Sequence, residues 1–140
     1  MPTLEDAISL AVKAHRGCKD KAGSAYILHS LRVMLRMKTS DERIVAVLHD
    51  VIEDTNYTLE DLRKAGYSQK ILQSLDYLTK RDGEDYDQFI KRVKRNPLAR
   101  KVKIADLRDN LDLRRIKKPK KHDFIRMEKY CRALLELMKT

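Results

Sequence analysis

Ile44-Val45-Ala46-Val47-Leu48-His49-Asp50-Val51-Ile52-Glu53-Asp54-Thr55 opens with the chain's longest unbroken apolar run, Ile44 to Leu48. It then adds an imidazole and three carboxylates within six residues. Ile44, Val47, Leu48, Val51 and Ile52 recur at helical spacing and predict one apolar face. His49 and Asp50 flank that face, and Glu53 and Asp54 follow each of them by one helical turn. Like charges at this spacing repel one another, and burying them is costly unless a cation is present. A divalent metal would convert the liability into a site. A solvated acidic helix end accounts equally well for a His-Asp doublet taken alone.

Outward from this stretch the periodicity stays helical. Thr3 caps a helix from Leu4 to about Arg16, with Asp6 as its box partner, and His15 falls beside the apolar stripe of Ile8, Ala11 and Val12. A second helix is expected over Ile27 to Met37, and Ser40 or Asp41 caps a third that runs through Asp54. Thr58 caps a short helix from Leu59 to Ala65, closed by Gly66. Further helices are expected from Ser68 to about Leu78, from Tyr86 to about Arg95, and from Pro97 to about Arg115. Pro119 interrupts, and His122 or Asp123 starts a last helix to Met138. No strand-like alternation persists and no repeat is visible. The expectation is an all-α bundle without a significant sheet, a single domain over residues 1–140.

Composition narrows the functional classes. The chain has 140 residues, 37% of them charged, with a formal net charge of +10. Residues 1–90 hold 13 basic and 15 acidic side chains, whereas residues 91–140 hold 18 and 6. That basic third is either a solvated face, a nucleic-acid surface or a field for a small polyanion such as a nucleotide. Trp is absent and only eight aromatic Phe and Tyr residues occur, which argues against single-strand stacking. No apolar run approaches the roughly 20 residues of a membrane helix, and the opening residues lack a secretory pattern. Cys18 and Cys131 read as ordinary cytosolic thiols, so a cytoplasmic location is expected.

Two more apolar segments contain polar residues of the same kind. His29 interrupts Tyr26-Ile27-Leu28 and Leu31, and Asp106 sits in Val102-Lys103-Ile104-Ala105-Asp106-Leu107 with Asn110 one turn on. Each alone is as well explained by a hydrogen-bonded core histidine or a Lys103–Asp106 pair. With His49 and Asp50 they make two imidazoles and two carboxylates on separate helices, a mixed set suited to Mn²⁺, Fe²⁺ or Zn²⁺. His122 reads as a helix-start residue, Cys18 as a surface or pocket thiol, and the lysines around Pro119 as a solvated turn.

In this combination the chain resembles the HD-domain phosphohydrolases, and more narrowly the hydrolase domain of the RelA/SpoT family and its stand-alone small alarmone hydrolases. The resemblance rests on Ala14-His15-Arg16-Gly17 with Gly23, Tyr26-Ile27-Leu28-His29, Leu48 to Thr55, Leu78-Thr79-Lys80, and Lys103 to Asn110. These stretches run in the family's order over most of the chain. The resemblance implies an all-α HD-domain bundle, a Mn²⁺ cofactor and removal of the 3′-pyrophosphate from ppGpp and pppGpp. It makes His29, His49, Asp50 and Asp106 the metal ligands and Glu53 and Asp54 the residues that activate water. It places Lys21, Lys103, Asn110 and, more loosely, Tyr26 along the nucleotide.

The loop Cys18-Lys19-Asp20-Lys21-Ala22-Gly23 departs from that pattern. The family's loop arginine, which packs against guanine, is replaced by Asp20, and a glutamine is replaced by Cys18. Asp20 would instead accept hydrogen bonds from a guanine edge, or the pocket would favour another nucleotide, such as NADPH or a nucleoside monophosphate. A non-catalytic nucleotide- or RNA-binding module is the third reading, although nucleic acid is not the expected partner. The length leaves no room for the synthetase and regulatory domains of the long family members.

Overall fold

Side-chain caps set most of the helix starts. Thr3, Thr39, Thr58 and Asp85 each accept the N–H three residues on, while Asp6, Glu42, Asp61 and Gln88 accept the cap residue's own N–H. Such reciprocal boxes satisfy two otherwise orphaned donors per helix. Asn96 caps ahead of Pro97, whose missing N–H costs nothing at a first helical position. The computed structural model describes residues 1–140. It contains α1 Leu4–Ala14, α2 Ile27–Leu35, α3 Ser40–Leu48, α4 Val51–Asp54, α5 Leu59–Lys64, α6 Gln69–Tyr77, α7 Tyr86–Val93, α8 Pro97–Asn110 and α9 Lys121–Met138. A 3₁₀ turn covers Leu113–Arg115. The chain is all-α, as its periodicity indicates, and its β pairing is limited to an isolated bridge between Lys19 and Ala25.

Two expected helices end early. The third stops at Leu48, and α4 restarts at Val51, so the His49-Asp50 doublet lies at a break rather than inside a helix. The His49 ring takes the Ala46 carbonyl at 2.6 Å, an acceptor that a continuing helix would need. The helix begun at Pro97 stops at Asn110, because Asp112 caps the following 3₁₀ turn by accepting the Arg114 N–H at 3.0 Å.

α3 lies at the centre, packed on α1, α2, α6 and α8, while α9 closes over α7 and α8. Ile44 through Leu48 are all buried, so α3 is enclosed on every side instead of showing one apolar face. One continuous core of 26 buried residues links these helices and fixes α2, α3 and α8 against one another. No helix is long and apolar enough to cross a membrane.

Arg92 ties the segment after α6 to α7. Its guanidinium donates to Glu84 at 2.8 and 3.0 Å and to the Thr79 carbonyl at 2.8 Å, and lies over the Phe89 ring. That pairing holds the Glu84 carboxyl at about 2. A depressed carboxylate contributes stability in full above its ordinary value of 4.5 and loses it as pH falls toward 2. Arg92→Ala should therefore cost about 2 kcal/mol near neutrality. Thermal melts should show this deficit shrinking as the medium is acidified through the carboxylate range.

Candidate metal centre and adjoining cavity

α2, the α3–α4 break and α8 bring His29, His49, Asp50 and Asp106 together, each offering one ligand atom within 4.8 Å of the others. His29 Nε2 lies 2.8 Å from Asp106 Oδ1. His49 Nε2 lies 3.0 Å from Asp50 Oδ2 and 3.3 Å from Asp106 Oδ1. Both imidazoles and Asp106 are buried.

The far side of each ring decides what this cluster needs. His49 Nδ1 faces the Ala46 carbonyl, which can only accept, so Nδ1 carries the proton and Nε2 is left facing carboxylates. His29 Nδ1 faces Asp109 Oδ2 at 2.5 Å with the same consequence. A bare Nε2 lone pair against a buried carboxylate is unfavourable, so either a proton or a metal cation must stand between them. Burial opposes charge on His49, yet Asp50 and Asp106 override it and push its pKa well above the usual value. Burial likewise opposes charge on His29, and its bonds to Asp106 and Asp109 raise it. Against its own burial, Asp106 is held well below the carboxylate range by Lys103 and His49. A divalent cation taking two nitrogens and two oxygens meets the same demand without those protons. The donor set fits such an ion.

A further ring of hydrogen bonds orients the carboxylates. Tyr26 donates its hydroxyl to Asp50 Oδ2. Lys103 Nζ donates to Asp106 Oδ2 at 2.8 Å, and Asn110 Nδ2 donates to Asp106 Oδ1 at 3.1 Å. Lys103, expected along the nucleotide, is thus engaged on the Asp106 carboxylate of the cluster and lies over the Phe89 ring. Tyr26 and Asn110 do both jobs, since they also line the cavity beside the cluster.

That cavity has a volume of about 370 Å³. Lys19, Lys21, Arg115 and Arg126 supply its cations, Asp20, Asp54 and Asp112 its carboxylates, and Tyr130 and Ile116 its apolar wall. Burial lowers the Lys21 pKa, and the nearby Arg126 and Lys129 charges lower it further, so this corner favours an anion. Asp20 is already engaged: it accepts the N–H groups of Ala22 and Ser24 at 2.9 and 3.0 Å and pairs with Arg115 at 2.9 Å. Glu53 and Asp54 are both exposed, and their pKa values are raised by partial enclosure and by the charge of Asp50. Asp54 faces the cavity, and Lys103 and Lys80 lie near Glu53.

Several site residues escape a reading of the sequence. Asp109 lies one turn from Asp106 on α8, a spacing that signals a shared face. Arg126 and Tyr130 lie one turn apart on α9 and reach one wall of the cavity, so part of the basic third lines it. His15 packs 4.9 Å from the Tyr26 ring, outside the ligand set. Cys18 and His122 are exposed.

No protein-family model matches the chain. Along 96% of its length it is 31% identical to a GTP pyrophosphokinase of Streptomyces coelicolor. Along 77% it is 27% identical to a guanosine-3′,5′-bis(diphosphate) 3′-pyrophosphohydrolase of Aquifex aeolicus. The chain spans 17% of the length of each of these relatives. A solved structure described as a metazoan ortholog of SpoT that hydrolyzes ppGpp and plays a role in starvation responses superposes with a TM-score of 0.77. It matches 99% of this chain and 88% of that one at 20% identity, which establishes a common fold.

Proposed function

This chain belongs to the RelA/SpoT-type family, and on that premise we propose that it is a metal-dependent hydrolase removing the 3′-pyrophosphate of guanosine alarmones. The products from ppGpp and pppGpp are GDP and GTP with pyrophosphate. One observation carries the reading: the buried cluster of His29, His49, Asp50 and Asp106 adjoins a cavity whose cations suit a nucleotide with phosphates at both ends. The relatives' names cover both pyrophosphoryl transfer and hydrolysis. The cluster favours hydrolysis, which needs a water, a Lewis acid and a base in one place.

In this reading His29, His49, Asp50 and Asp106 hold Mn²⁺. When bound, the ion polarises the phosphoryl group and acidifies a water. Lys103 offsets the charge of Asp106, and Tyr26 and Asn110 fix the two carboxylates. Neither Glu53 nor Asp54 has a side-chain hydrogen-bond partner within the protein, and their raised pKa values suit them to accept the proton of an attacking water. Lys21 and Arg126 attract the nucleotide phosphates, Arg126 with a planar fork and Lys21 as a point charge.

The engagement of Asp20 keeps a second substrate class in view, a nucleotide with a 2′- or 3′-phosphate such as NADPH, because its carboxylate serves the loop rather than a guanine edge. Purified protein with Mn²⁺ should convert ppGpp to GDP and pyrophosphate faster than it attacks NADPH or nucleoside monophosphates, and a chelator should stop it. A metal-replete wild-type protein that leaves ppGpp intact overturns the proposal. Preference for NADPH moves it to the second class, and salt-sensitive RNA binding without turnover would replace it with a binding module.

A further inference from the structure

One guanidinium joins the loop that walls the cavity to the ligand sphere of the metal. Arg115 Nη2 donates to Asp20 Oδ2 at 2.9 Å. Its Nη1 donates to Asp109 Oδ2 at 2.9 Å, to the Asp109 carbonyl at 3.0 Å and to Asn110 Oδ1 at 3.3 Å. Both carboxylates have work of their own. Asp20 takes the N–H groups of Ala22 and Ser24 and so folds the turn that carries Lys21. Asp109 is 1% exposed and receives the Nδ1 side of His29, whose Nε2 belongs to the metal cluster. A continuous path therefore runs from the loop through Asp20, Arg115 and Asp109 to His29, with a branch through Asn110 to Asp106.

The chemistry of the path demands arginine. Two buried carboxylates from distant segments share one cation, and a planar fork can hold both in fixed directions where an ammonium cannot. Arg115 also lies just past the end of α8, where a cation complements the last carbonyls, and it binds that of Asp109. Arg32 holds Asp109 independently at 2.8 and 3.2 Å, so loss of Arg115 leaves this carboxylate paired but without its tie to the loop.

We propose that Arg115 is a positioning residue that sets two parts of the site at once, the His29 ring for the metal and the Lys21 loop for the nucleotide. It touches no ligand atom of the metal cluster and acts through Asp109 and Asp20. The inference rests on the metal and nucleotide roles proposed above.

Its test is calorimetric titration of the metal-free 140-residue chain with Mn²⁺, alongside KM and kcat for ppGpp and a thermal melt. Arg115→Ala should weaken Mn²⁺ binding by up to about tenfold, the low end of the effect of groups around a ligand histidine because it acts through Asp109, and should raise KM as well. Asp20→Asn should raise KM and leave Mn²⁺ affinity at the wild-type value. Guanidinium ion at non-denaturing concentration should restore Mn²⁺ affinity to Arg115→Ala, and sodium chloride of equal strength should not. If Arg115→Ala fails to fold, Arg115→Lys, which keeps the charge and loses the fork, should still bind Mn²⁺ more weakly than wild type. A folded Arg115→Ala or Arg115→Lys with unchanged Mn²⁺ affinity overturns the proposal. So does an equal loss from Asp20→Asn, which would trace the effect to collapse of the loop. Wild type that ignores Mn²⁺ refutes the metal reading instead, and wild type that binds Mn²⁺ but spares ppGpp refutes only the substrate.

Discussion

His49→Ala should give a folded protein that neither binds Mn²⁺ nor releases pyrophosphate. His49 stands between Asp50 and Asp106, 3.0 and 3.3 Å from their oxygens, and its removal takes away one of four converging donors. The Lewis-acid contribution lost with the ion is several kcal/mol, and at about 1.36 kcal/mol per decade the rate should fall on the order of a thousandfold or more. A stability readout separates this from simple unfolding. On the proposed reading Mn²⁺ binds only the folded chain, so it should raise the wild-type Tm and leave the variant's Tm unchanged. The wild-type affinity should also depend on pH, because protons compete for both imidazoles. Neighbouring aspartates raise the pKa of His29 and of His49, so affinity should decline as pH falls, beginning above the ordinary histidine range. A His49→Ala protein that still gains stability from Mn²⁺ would remove His49 from the ligand set.

The parts of this molecule that its sequence discloses are those written in local patterns. The caps at Thr3 and Thr58 and the proline after Asn96 locate the starts of α1, α5 and α8. The polar residues inside apolar segments mark His29, His49, Asp50 and Asp106, because burying such groups needs a reason. The break at His49-Asp50 is not legible, since it follows from a side chain competing with the backbone for the Ala46 carbonyl. Nor is the role of Arg115: its partners Asp20 and Asp109 meet it only after α8, the 3₁₀ turn and the cavity loop are folded against one another. Asp20 illustrates the difference most sharply. On the page of the sequence it is an anion where the family's pattern has a cation, whereas in the structure it is the pin of its own turn and brings a guanidinium from the basic third to the same wall. The charge missing from the loop is present in the cavity, supplied from a different part of the chain.

Glu53→Gln should leave the metal bound and slow turnover by about 10²- to 10⁴-fold, the span over which a positioned acid–base group acts. Glu53 lies one turn after the ligands, makes no hydrogen bond within the protein and is not among the converging donors, so replacing its carboxylate by an amide of similar shape leaves the ligand sphere intact. Mn²⁺ should still raise the Tm of this variant, the opposite of His49→Ala. The acid side of the pH profile adds a second discrimination. Partial burial, and then the charge of Asp50, raise the Glu53 pKa, and a base works only when deprotonated. The wild-type kcat should accordingly fall with decreasing pH from a point above the usual carboxylate range. The Asp54 pKa is raised as well, by burial and then by the charge of Asp50, and Asp54 also faces the cavity, so Asp54→Asn is the necessary comparison. If Glu53 takes the proton, Glu53→Gln flattens the acid limb while Asp54→Asn keeps it and changes KM. If the limb disappears with Asp54→Asn alone, the base is Asp54 and Glu53 serves only to hold charge beside Lys103 and Lys80. Loss of Mn²⁺ binding in Glu53→Gln would contradict both assignments, because it would place a fifth carboxyl group or imidazole in the ligand sphere.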